Sequence, residues 1–280
     1  MNSEVKGNEN KFELSVIGAL LMIVCALVVQ FVASIPLAGL LGGKYISSHK
    51  ILESIAELLI NIIPRILVIL VILKVIRKDY KANFKINYIR KFNFKLLLCT
   101  VFLMIGFFLW FQTSFVAMIE KFSSLQSFAE GATELDKNFY VDIIVSVAVA
   151  PIYEEILMRG IILEGFLNRY KPITSIIISS VIFGAMHLNI LMFLNATIGA
   201  IIFGTIYYKT RSLVLSIACH IVHNLIINFL QYFGQYIKGF DVNIISFLIG
   251  IAIFTISAVF FKRCLKRLDS DDTNLKKNIA

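Results

Sequence analysis

The chain has 280 residues, of which 58% are hydrophobic and only 16% charged, with a mean hydropathy of +0.83. That balance excludes a soluble domain, which must cover its core with polar surface, and indicates a membrane protein. The formal charge of +9 does not indicate nucleic acid, because no basic run is interleaved with aromatics in a soluble segment.

The apolar residues fall into long blocks separated by short charged stretches: Leu14 to about Leu41, then 51–76, 94–118, 141–167, 173–190, 191–208, 212–233 and 242–261. Each is near or above the roughly 17–25 residues a helix needs to cross the hydrocarbon. The expectation is an all-α, polytopic membrane protein of about eight transmembrane helices, forming one membrane-embedded domain over 1–280. Pro64 and Arg65 interrupt the second block. Residues 173–208 are nearly continuous, so His187, Leu188 and Asn189 must form a very tight connection if two spans are present. The alternative makes 191–208 a tilted or partly re-entrant helix, tolerated only where protein covers its backbone.

Charge sets the orientation. The connection after the second block holds Lys74, Arg77, Lys78, Lys81, Lys85, Arg90, Lys91 and Lys95, whereas the next holds Glu120, Glu130, Glu134 and Asp136 against Lys121 and Lys137. The first is therefore cytoplasmic. Propagation puts Arg169 and Lys171, Lys209 and Arg211, and Lys262, Arg263, Lys266 and Arg267 on the same side, with both termini inside a cell membrane. The first block is longer than a signal core and lacks a convincing cleavage site, which marks it as a retained span. The residues before it, and the polar tail from Asp269, are expected to be loosely ordered. Cys25, Cys99, Cys219 and Cys264 are scattered and form no C-x-x-C pair, as small hydrophobes would.

Against this background, Ala150–Gly160, "APIYEEILMRG", carries two adjacent carboxylates and an arginine. At 1.5 Å per residue Glu154 and Glu155 lie about 20 Å from the cytoplasmic end of their helix. Ionisable groups at that depth are costly and default to a functional reading. On an α-helix Glu155 and Arg159 share a face, which favours a structural lock, while Glu154 points elsewhere and is the chemically available carboxylate. His187 comes to a depth of about 21 Å, His220 to about 12 Å and Asn224 to about 18 Å. His220 and Asn224 are four apart and share a face, with His223 adjacent. Three helices thus bring Glu154, His187, His220 and Asn224 to overlapping levels.

Those residue types support two chemistries. A carboxylate and an imidazole can hold and deprotonate a water, while a second imidazole and an amide N–H stabilise the oxyanion that forms from a carbonyl. Alternatively, Glu154, His187 and His220 are a common donor set for zinc, although no H-E-x-x-H pair is present. Ser216 and Cys219 are weaker as nucleophiles, since helical serines bond their own carbonyls and Cys219 turns 100° from His220. A transporter would show inverted repeats or polar groups along a path through both halves of the membrane, whereas these cluster in three adjacent blocks.

"EEILMR" (Glu154, Glu155, Arg159), "FGAMH" (Phe183, His187) and "HIVHN" (His220, Asn224) resemble the E-E-x-x-x-R, F-x-x-x-H and H-x-x-x-N motifs of the CPBP intramembrane proteases. These include the CAAX prenyl endopeptidases and the Abi, or bacteriocin-immunity, proteins. The resemblance covers about residues 140–232. It implies a catalytic cavity open to the cytoplasm and hydrolysis of a peptide bond in a membrane-associated protein or peptide. By the same resemblance Glu154 and His187 activate water, His220 and Asn224 stand on the oxyanion side, and Glu155, Arg159 and Phe183 support the site. Members are classed as metalloproteases, so Zn2+ is implied beside a metal-independent general-base route. The composition suggests a bacterial member, with membrane lipids and a membrane-anchored peptide as partners. A catalytically silent scaffold or immunity partner remains the alternative class.

Overall fold

The computed structural model describes residues 12–43, 46, 48–79, 93–111, 113–114, 138–234 and 244–277. The protein is all-helical, without strands among the described residues. The helices are α1 (Val16–Leu41), α2 (Lys50–Asp79), α3 (Phe94–Phe111), α5 (Pro172–Ala185), α6 (Ile190–Thr210), α7 (Leu213–Gly234) and α8 (Ile244–Lys277), with a segmented α4 between α3 and α5. α1, α2, α3, α6 and α8 are each long and apolar enough to cross a membrane, and α5 and the first part of α7 are shorter apolar helices. Large apolar side chains such as Ile17, Phe31, Leu70, Leu248 and Phe260 stand exposed, as a lipid-facing surface requires. This is a multi-pass membrane protein.

These bounds follow the apolar blocks closely, with three differences. The pair in 173–208 is unequal: α6 is a full-length span, while α5 has 14 residues and reaches only about 21 Å. The link between them is the tight one expected. Leu188 adopts a left-handed backbone, φ 53°, and the Asn189 side chain accepts from the amides of Leu191 and Met192, satisfying donors that open the next helix. Second, α8 continues to Lys277, through the tail expected to be loose. It contains no proline, and no glycine after Gly250, to stop a helix already nucleated by its apolar span. The basic and acidic residues of the two connections before and after α3, from Lys81 to Lys91 and from Glu120 to Lys137, lie outside the described residues.

The third difference is α4. In place of one regular helix over 141–167, α-segments Phe139–Ile144, Ala150–Glu155 and Glu164–Arg169 alternate with π-segments Val145–Val149 and Ile156–Leu163. Glu154 and Glu155 close the middle α-segment, between two widened stretches. Such π-segments recur at functional sites because they break the regular α-helical ladder.

The chain divides into two compact units. One comprises Met1–Ile86 with Ile156–Ser175. Here α1 packs on α2, and the segment before α1 is tied to the end of α4: Leu14 N–H donates to the Gly165 carbonyl at 3.1 Å, and Asn168 Nδ2 donates to the Phe12 carbonyl at 2.9 Å. Arg159, buried at 2% exposure, belongs to this unit.

The other unit comprises Asn87–Glu155 with Ile176–Ala280, and holds Glu154, Glu155, Phe183, His187, His220, His223 and Asn224. Its core joins Leu96, Leu103 and Met104 of α3, Phe203 and Ile206 of α6, Leu215 and Cys219 of α7 and Phe261 of α8. α3 and α8 run against each other at unusually close range. A Cβ on Gly106 would collide with the Phe254 backbone, and one on Gly250 would stand 2.6 Å from the Trp110 amide nitrogen. Small residues at both crossing points let the two backbones touch, which is how helices associate where lipid offers no hydrophobic drive.

Candidate active site

α7 supplies the central group. His220 is 4% exposed, with its ring stacked on Phe203 at a centroid distance of 5.0 Å and met edge-on by Phe183 at 5.9 Å. Its Nδ1 lies 2.9 Å from Glu155 Oε1, and Ser216 Oγ donates to Glu155 Oε2 at 2.6 Å. Ser216 precedes His220 by one helical turn, so α7 presents a hydroxyl and an imidazole together to one carboxylate. A fully buried carboxylate, 0% exposed, is stabilised when both oxygens accept. As an acceptor it fixes the proton on Nδ1 and leaves Nε2 with its lone pair outward.

That outward nitrogen faces Glu154. Nε2 and Glu154 Oε2 are 3.8 Å apart, too far for a direct hydrogen bond. A water oxygen at hydrogen-bond range from both would subtend about 85°, close enough to its own bond angle to donate one proton to each. Glu154 retains 23% side-chain exposure, against none for Glu155. Two consecutive carboxylates therefore have separate environments, one enclosed and bonded, the other open.

Asn224 stands one turn beyond His220, and its position is set by the first π-segment of α4. The Ala150 N–H donates to the Val145 carbonyl, five residues back. In an α-helix it would have met the Ser146 carbonyl. The next candidate donor is residue 151, a proline, which has no N–H. The Ser146 carbonyl accepts instead from Asn224 Nδ2 at 2.8 Å. Asn228 continues the network, donating to the Asn224 carbonyl at 2.8 Å and accepting from Ser146 Oγ at 3.3 Å. One N–H of the Asn224 amide is thus anchored, which orients the second.

His187 lies at the turn after α5. Its Nδ1 is 3.1 Å from the Phe183 carbonyl one turn back, and its ring meets the Phe183 ring at 5.1 Å. Phe183 therefore contacts both His187 and His220. His223 is buried at 5% exposure, with its ring 5.8 Å from Phe203 and 6.5 Å from His220. The structure gathers Glu154, Glu155, Phe183, His220 and Asn224 closely, with His187 against the Phe183 ring. Sequence reasoning missed Phe203, Ser146 and Asn228, and gave Ser216 no part. Ser216 and Asn228 had a signal, their four-residue spacing from His220 and Asn224.

Among the described residues no group of three or more His, Cys, Asp or Glu side chains is placed to hold a metal ion.

Residues 136–226 match the family model of the type II CAAX prenyl endopeptidase Rce1-like proteins. The match spans every site residue above except Asn228, in agreement with the resemblance in its motifs. Comparison with curated proteins and with solved structures gives no match.

Proposed function

We propose that the protein is an intramembrane endopeptidase that hydrolyses a peptide bond in a membrane-anchored protein or peptide. The observation that carries this reading is the 3.8 Å gap between Glu154 Oε2 and His220 Nε2. Water held there donates to both acceptors and turns a lone pair toward a substrate carbonyl. Glu154 takes the proton as the water adds, and the free N–H of Asn224 receives the oxyanion. Collapse breaks the C–N bond as Glu154 returns the proton to the leaving amine. Glu155 and Ser216 act through His220, holding its tautomer. The resemblance assigns His187 beside Glu154, and the 3.8 Å gap adds His220 as a partner of the same water. No step is routed through zinc.

The family description supports a substrate whose scissile bond lies near a lipid-modified C-terminus, and lipid surrounds the site in any case. The basic belts support cytoplasmic termini and access from that side.

The test uses wild type, Glu154→Gln and His220→Gln in lipid nanodiscs, with mass spectrometry of a library of prenylated and unprenylated membrane-anchored peptides, with and without a chelator. The expectation is cleavage by wild type, at least 10²-fold loss in both variants at unchanged thermal stability, and insensitivity to chelation. Cleavage retained by both variants overturns the assignment of the site, and no cleavage by wild type of any peptide in the library overturns the endopeptidase reading in favour of the scaffold. Cleavage lost on chelation and restored by zinc returns Glu154, His187 and His220 as ligands.

A further inference from the structure

Cys99 of α3 and Cys264 of α8 stand with their Sγ atoms 3.7 Å apart, and we propose that they form a redox-modifiable pair that closes to a disulfide bridging the two helices. Nothing in the peptidase reading uses them, and the proposal is independent of it.

The juxtaposition follows from how the helices pack. The two glycine crossings described above set Gly106 against Phe254 and Gly250 against Trp110, an antiparallel register in which each step along α3 is a step back along α8. Continuing it from Gly106 toward the start of α3 carries Cys99 into the turn of α8 that holds Cys264. Close backbones leave the two side chains only each other as sulfur partners. Disulfide formation needs the sulfurs to close by about 1.7 Å, a movement shared between two side chains. Both thiols are half-buried, near the ends of the apolar spans of their helices, Phe94–Phe111 and Ile244–Leu268. Lys95 lies one turn from Cys99, and Lys262, Arg263 and Lys266 surround Cys264 in sequence. A small oxidant can arrive there from the aqueous side. The other two cysteines make no such pair: Cys25 is exposed in the other unit, and Cys219 is 1% exposed in the core.

The oxidant is a peroxide. One sulfur attacks a peroxide oxygen of H2O2 and breaks the O–O bond, giving a sulfenic acid and a water that carries away the thiol proton. The second sulfur displaces the sulfenic hydroxyl, which leaves with that thiol's proton as a second water. Two thiols and one H2O2 give one disulfide and two waters, and a dithiol reverses it. If the charge belts place these helix ends in the reducing cytoplasm, the resting state is the dithiol. Cys99 and Cys264 both pack against the cluster containing Phe203 and Cys219, so the bridge fixes the layer behind the His220 ring.

The full chain in nanodiscs is treated with hydrogen peroxide, alkylated and mapped by mass spectrometry. The expected result is a linked Cys99–Cys264 peptide pair lacking two hydrogens and at least a fivefold joint fall in their alkylation. Cys25 keeps its labelling, and dithiothreitol reverses the change. Cys99→Ser abolishes the linked pair and leaves Cys264 alkylatable. Oxidation raises the unfolding midpoint of wild type by roughly 5 °C and leaves the variant's unchanged. Independent conversion of either thiol to a sulfinic acid, links between separate chains, or undiminished alkylation of both overturns the proposal; each reads on wild type even if the variant fails to fold.

Discussion

Glu154 and Glu155 are neighbours in sequence with one chemistry between them, and the structure separates them by what each oxygen meets. Glu155 accepts from His220 and Ser216, while Glu154 Oε2 faces the other side of the same imidazole across 3.8 Å. Glu155→Gln should therefore leave the fold but remove the charge that selects the His220 tautomer. The expected loss in kcat is about 10²–10⁴-fold with KM little changed, by analogy with other orienting carboxylates. Ser216→Ala removes one hydrogen bond to that charge and should cost roughly tenfold in kcat. The check is a kcat and KM comparison together with nitrogen NMR of the labelled histidine. An unchanged tautomer in Glu155→Gln would remove the orienting role. The sequence made both carboxylates visible because intramembrane charge is rare. It could not show which partner each would choose, since that is decided by α7, 61 and 65 residues away.

At the scale of the helix, α4 shows what an unbroken α-helical register leaves out: the stretches Val145–Val149 and Ile156–Leu163 are π-segments with more residues per turn. Pro151 was in plain sight. Its missing N–H together with the Ala150 N–H to Val145 bond leaves the Ser146 carbonyl to Asn224, a chain of cause invisible without the register of the ladder. Pro151→Ala restores a donor within reach of that carbonyl and removes a helix-disfavouring residue. The variant is expected to be at least as thermally stable as wild type yet several-fold slower in kcat. Equal activity and stability in the two proteins would show that the carbonyl is not shared in this way.

For the whole molecule, hydropathy located the helices and their order, because every backbone polar group in lipid must be satisfied within a helix. Boundaries erred where local chemistry intervened, at the short α5 and at the extended α8. Sidedness rests on charge alone, and it predicts that single-cysteine reporters placed at Lys78, Arg211 and Lys266, in a chain with its four native cysteines replaced, are labelled from the cytoplasm and protected from an impermeant reagent outside. Labelling of all three from outside would invert the assignment.

The short α5 adds a property that belongs to the bilayer as much as to the protein. A helix of about 21 Å is mismatched to a hydrocarbon slab of about 30 Å, so the turn bearing His187 ends inside the slab or the lipid thins to meet it. The Asn189 cap makes that depth tolerable by bonding amides that have no bulk solvent at hand. Acyl-chain length thereby becomes part of the geometry that sets the level of His187.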